Sequence, residues 1–88
     1  MMAAASANLP RAIRGELRKF FDSNEEWLSR VLSAGCKART LRLRSTPHLE
    51  ARFITMTFEG AMLIARSYGE PKRFEEVVER VLSDLAPH

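Results

Sequence analysis

The stretch TFEGAMLIARSYGEPKRF, residues 57–74, decides the fold. It is mostly apolar or small, has Gly60 in mid-run, stops at Gly69-Glu70-Pro71 and restarts as a charged segment. Glycine suits the left-handed conformation that closes many helices, and proline suits the first turn of the next. The stretch therefore reads as the end of one helix, a tight corner and the start of another. Upstream, in STPHLE, Thr46 can cap, Pro47 fits the first helical position, and Glu50 puts a negative charge where the helix dipole favours it. That helix covers 47–68. Downstream, Phe74, Val77, Val78, Val81, Leu82 and Leu85 form one stripe of a helix over 71–85.

A longer helix precedes these two, from about residue 9 to about 38. Asn8 or Leu9 would cap it, with Pro10 early in the helix. Ile13, Leu17, Phe20, Phe21, Trp27, Leu28, Val31 and Leu32 recur with a 3.6-residue period, and Arg18, Asp22, Glu26, Ser29 and Ser33 lie opposite. Gly35 marks where its last turn loosens. No segment sustains a strand pattern: TLRLR (40–44) alternates, but it is short and lies between two strong helices, so it reads as a connector. The fold class is all-α, a three-helix antiparallel unit over 9–86, with 1–8 as a lead-in.

The middle helix has more apolar surface than two neighbours can cover. At ~100° per residue, Arg52, Glu59 and Arg66 fall on one narrow polar strip. Leu49, Phe53, Met56, Thr57, Gly60, Ile64 and Tyr68 take one side; Ile54, Phe58, Ala61 and Ala65 take another. A surface helix needs one apolar stripe, and this one has an arc about twice as wide. The economical cover is a second copy of the same surface, in which the last two helices of each chain form a four-helix bundle about a two-fold axis. The expected homodimer interface is Phe53, Met56, Thr57, Gly60, Ile64 and Tyr68 with Phe74, Val78, Val81 and Leu85. Gly60 either lets backbones approach across that interface or serves packing within the chain.

Length and composition agree with a small domain that benefits from pairing. The chain has 88 residues, 45% hydrophobic and 28% charged, which is ordinary globular usage. A domain of this size buries only roughly 60–65% of its unfolded surface. The net charge of +3 comes mainly from RAIRGELRK (11–19) and KARTLRLR (37–44), without aromatic or glycine-rich accompaniment, and reads as a solvated surface. Cys36 is the single cysteine, so an intrachain disulfide is excluded and an intracellular setting is expected. MMAAASANLP lacks the pattern of a signal peptide, and charged residues interrupt the best apolar run well before the ~20 residues a bilayer requires.

FFDSNEEWLSRVLSAG, a short basic connector, and then ARFITMTFEGAMLIARSYGEPKRFEEVVERVL together resemble the C-terminal domain of bacterial TetR/AcrR-family transcriptional regulators. The similarity covers about residues 15–86. Its most telling parts are EGAMLIAR in the penultimate helix, the Gly69-x-Pro71 turn, and Phe74 opening an amphipathic last helix. The resemblance implies a bacterial, cytoplasmic homodimer joined through its last two helices, within a domain that in full-length members senses a small effector. Two departures stand out. Nothing before Pro10 can form the family's helix-turn-helix domain, so no direct DNA contact is expected. Arg39 also stands where many relatives have a helix-ending glycine.

Asn24 falls among Leu17, Phe20, Phe21, Trp27 and Leu28, and a buried amide needs partners. Phe20, Asn24, Trp27 and Phe58 are accordingly the candidate lining of a cavity for a small hydrophobic effector, against the alternative of a core amide bonded to nearby backbone. His48 has no second metal-ligating residue at useful spacing, and adjacent acids such as Glu25-Glu26 and Glu75-Glu76 point to different sides of a helix. No nucleophile motif, phosphate loop or dinucleotide fingerprint occurs, so neither an enzyme nor a cofactor is indicated. The expected function is the dimerisation and effector-sensing portion of a TetR-type regulator. The alternatives are a stand-alone interaction protein that pairs with itself or with a full-length regulator, and a small basic nucleic-acid binder.

Overall fold

Three helices follow one another without strands among the residues described by the structure, a computed structural model that covers 10–87. They are α1 (Arg11–Lys37), α2 (Pro47–Tyr68) and α3 (Pro71–Leu85). The chain is thus an all-α three-helix unit. The expected caps Asn8 and Leu9 and the expected lead-in lie outside the described residues. Pro10 is the N-cap of α1 and not part of the helix: its ψ of 148° is extended, and the helix begins one residue later.

Each boundary has a local cause. At the start of α2 the Thr46 hydroxyl accepts from the Leu49 N–H at 3.2 Å, satisfying one of the donors a helix start leaves free. At its end Gly69 takes φ 64°. The Glu70 N–H then donates to the Ala65 carbonyl at 2.9 Å and the Gly69 N–H to that of Arg66 at 3.2 Å, the paired bonds of a Schellman closure. Pro71 opens α3 immediately. The end of α1 has the same design: Thr40 N–H donates to Gly35 O at 2.9 Å and Arg39 N–H to Cys36 O at 3.1 Å. Here the left-handed position is held by Arg39, with φ 61°, where a glycine would be at ease.

α2 is the central element, packed by α1 on one side and α3 on another. The buried core gathers Leu32 of α1, Ala51 and Ile54 of α2, and Val81 and Leu85 of α3, with Leu28, Phe58 and Val77 packed against it. The connector between α1 and α2 closes one end. Leu41 and Leu43 turn into the core while Arg42 and Arg44 stay exposed, which accounts for the alternation in TLRLR. The Arg42 N–H donates to the Leu85 carbonyl at 2.8 Å, tying this strap to the end of α3. On the polar strip of α2, the Arg52 guanidinium lies 3.6 Å from the Glu25 carboxylate of α1.

The result is a thin layer. The principal extents are 43 × 30 × 15 Å, close to one helix diameter in the shortest direction. The radius of gyration is 15.0 Å, whereas a compact domain of this length has about 12 Å. A layer one helix thick has two broad faces and little interior.

Candidate functional site

The most exposed apolar surface of α2 is the side turned away from its helical neighbours. Phe53, Met56, Ile64 and Tyr68 are 61%, 67%, 51% and 63% exposed, and Leu49 belongs to the same side. The residues on the other side, Ala51, Ile54 and Ala65, are buried. One helix therefore has a spent apolar stripe and an unspent one, where a surface helix normally has only the first. A methyl group placed on Gly60 would meet nothing within 4 Å, so no contact inside the chain calls for glycine at that position.

Between α2 and α3 this surface continues into an open groove of about 520 Å³. Phe53, Thr57, Ala61 and Ile64 from α2, with Val77 and Val81 from α3, make its apolar part. Arg73, Glu76, Arg80 and Asp84 line its α3 side. Arg80 lies 3.4 Å from Asp84, which Arg44 also approaches at 3.8 Å. Arg73 pairs with Glu70, and its guanidinium carbon stands 3.8 Å over the Tyr68 ring. The groove thus has an apolar floor beside a charged edge of alternating sign.

The residues expected to form a pairing surface divide into two sets. Phe53, Met56, Ile64 and Tyr68 stand exposed, and Thr57 and Gly60 half-buried beside them. On α3, however, Val81 and Leu85 are buried in their own chain's core, and Phe74 packs its edge against the Phe58 ring at 5.9 Å. Val78 is half-buried. α3 has a single apolar stripe, and α2 uses most of it. What α3 presents outward is the charged edge of the groove, which a hydrophobic pattern does not single out, together with Leu82, which belongs to the expected apolar stripe yet is 59% exposed.

The candidate effector lining does not come together. Phe20, Asn24 and Trp27 are exposed on α1, whereas Phe58 packs between the core and Phe74. Phe20 lines a shallow surface depression with Ile13, Glu16 and Leu17. The reading of Asn24 as a buried amide is overturned as well. The line of α1 that meets α2 runs through Phe21, Glu25, Leu28 and Leu32, and Asn24 lies on the next line round the helix. His48 Nδ1 is 3.4 Å from the Ser29 hydroxyl, and Cys36 is exposed. Among the described residues no group of three metal-ligating side chains forms, and no helix is long and apolar enough to cross a membrane.

Fold and surface together define an all-α three-helix layer with an uncovered apolar face. No family model matches the sequence, and no curated protein does. The fold is similar to that in the crystal structure of E. coli NemR in its reduced form, with a TM-score of 0.89 over 97% of this chain and 21% sequence identity. At that identity the likeness is one of fold. The matched part is 46% of the NemR chain, so this chain spans just under half the length of that neighbour.

Proposed function

We propose that this chain is the dimerisation portion of a TetR-type transcriptional regulator of the bacterial cytoplasm, two copies pairing through α2 and α3 as a four-helix bundle. The observation that carries this reading is the exposed apolar side of α2, Phe53, Met56, Ile64 and Tyr68, lying beside the open α2–α3 groove. The order of charge along the groove edge supports it. Arg73, Glu76, Arg80 and Asp84 alternate plus, minus, plus, minus, so the edge run in the opposite direction is its own complement, as a two-fold contact requires. The fold shared with NemR and the sequence resemblance to the C-terminal domain of TetR-type regulators agree with this role. DNA reading and effector capture would fall to other parts of such a regulator, because Phe20, Asn24, Trp27 and Phe58 enclose no common cavity. The same surface also suits pairing with a longer relative.

Sedimentation at micromolar concentration tests the proposal. The wild type should sediment as an assembly of two or more chains. Ile64→Glu and Gly60→Arg should each weaken self-association at least about tenfold, the effect of losing roughly 1.4 kcal/mol at an interface centre. Glu59→Gln, on the exposed polar strip, should leave it unchanged. A monomeric wild type, or equal loss from the Glu59 and Ile64 changes, would overturn it.

A further inference from the structure

A second uncovered seam runs along α1, and its spacing differs from that of a core-facing stripe. Ile13, Leu17, Phe20, Asn24, Trp27 and Val31 follow one another at intervals of four, three, four, three and four residues, and all six are exposed. α2 covers the neighbouring line through Phe21, Leu28 and Leu32 and leaves this one bare. An unbroken four-three alternation averages about 3.5 residues per turn and keeps one narrow seam facing a partner helix that winds gently around it, which is the geometry of a left-handed coiled coil. In that register Leu17, Asn24 and Val31 hold one of the two core positions, and Ile13, Phe20 and Trp27 the other. A single amide among apolar core positions lowers stability and specifies register.

We infer that this seam docks against the same seam of a second copy, the two α1 helices antiparallel. The flanking charges select the occupant and the direction. Antiparallel pairing sets Ile13 against the second copy's Val31, Leu17 against its Trp27, and Phe20 against its Asn24. It also brings Glu16 opposite the second copy's Arg30, and by symmetry Arg30 opposite its Glu16. Parallel pairing would set Glu16 beside Phe21 and Arg30 beside Gly35, with no charge complement. Glu16 is free to exchange partners, since its contact with Lys19 at 3.2 Å is largely solvated, and Arg30 makes no ion pair among the described residues. The antiparallel arrangement also lays the N-terminal half of α1, which α2 does not reach, along the second copy's braced C-terminal half.

This contact is separate from the pairing of α2 and α3. Two different two-fold contacts on one chain give a closed tetramer where their axes cross at right angles, and an open chain of alternating contacts where the axes do not meet at an angle that closes. They can be read independently, because Trp27 is the single tryptophan of the sequence, lies 60% exposed on the α1 seam, and takes no part in the α2–α3 face.

The test is made in the Ile64→Glu protein, where the α2–α3 face is disabled, following Trp27 emission and sedimentation as concentration rises. Emission should move to shorter wavelength in step with dimer formation. Phe20→Glu should abolish both changes. Glu16→Arg, which sets like charges together twice, should weaken the dimer about tenfold or more, and adding Arg30→Glu should restore it to within about threefold. The charge variants alter exposed side chains only, and circular dichroism checks that each keeps its helices. Trp27 emission that stays constant across the concentration range would overturn the inference, as would failure of the double reversal to restore binding in a folded protein. Loss of assembly on Ile64→Glu alone, with the α1 dimer absent, would leave the α2–α3 proposal standing and remove this one.

Discussion

Two residues in equivalent positions show how backbone conformation constrains this chain. Gly69 and Arg39 close successive helices with the same pair of hydrogen bonds and the same left-handed φ, 64° and 61°. For a side chain bearing Cβ that conformation costs roughly 1–2 kcal/mol, of which part is offset because glycine loses more freedom on folding. Arg39→Gly should therefore stabilise the protein by about 0.5–1 kcal/mol, measured as a higher urea midpoint at unchanged slope. Gly35 is constrained for another reason. An added methyl there would fall inside contact distance of Leu41 Cγ and Cδ1, so Gly35→Ala should force the strap outward and cost about 1–3 kcal/mol. The sequence marks Gly35 only as a weak helix former; the demand for its missing side chain comes from the returning connector.

At the scale of elements, the connector and α1 behave in opposite ways. The connector has no regular structure, yet Leu41 and Leu43 pack into the core and its backbone is tied to Leu85. Leu43→Ala should cost about 1–2 kcal/mol, less than a fully buried leucine because the site is half-exposed. Arg44→Ala, next to it, should stay within about 0.5 kcal/mol, since its contact with Asp84 is largely solvated. α1 is regular throughout, but residues 11–20 are exposed on every side. Helix without tertiary packing is marginal in water. Amide exchange in a monomeric Ile64→Glu/Phe20→Glu protein should thus be fast over 11–20 and slow over 25–35, where α2 braces the helix. Uniform protection along α1 would show that its first half has support of its own.

The whole molecule is thin for its length, 43 × 30 × 15 Å. Its accessible surface of 7044 Å² exceeds the about 5,200 Å² expected of a monomer of 10.0 kDa, and the fully buried side chains are mostly small or single, Leu32 being the largest below 2% exposure. Stability should accordingly be linked to assembly. Where two chains unfold together, the apparent unfolding free energy rises by about 1.4 kcal/mol for each tenfold rise in concentration. The thermal midpoint of the wild type should therefore climb between micromolar and hundred-micromolar protein, and that of the doubly substituted monomer should not. A concentration-independent midpoint for the wild type would show that the layer is stable alone.

What was legible in the sequence was local: Thr46 and Pro47 opening a helix, Gly69-Glu70-Pro71 turning a corner, periodicity that leaves no room for strands. Such features rest on interactions within four or five residues, so the residues themselves carry them. The sequence also showed that α2 has two apolar sides, because angle around a helix follows from residue number. Which side is spent could not be read from it. That depended on where α1 and α3 come to lie, and the same uncertainty moved Asn24 from a supposed interior to an exposed seam and drew Val81 and Leu85 into the core. Two apolar stripes a third of a turn apart are chemically equivalent on the sequence. Only the tertiary structure, by giving one of them a neighbour, leaves the other exposed.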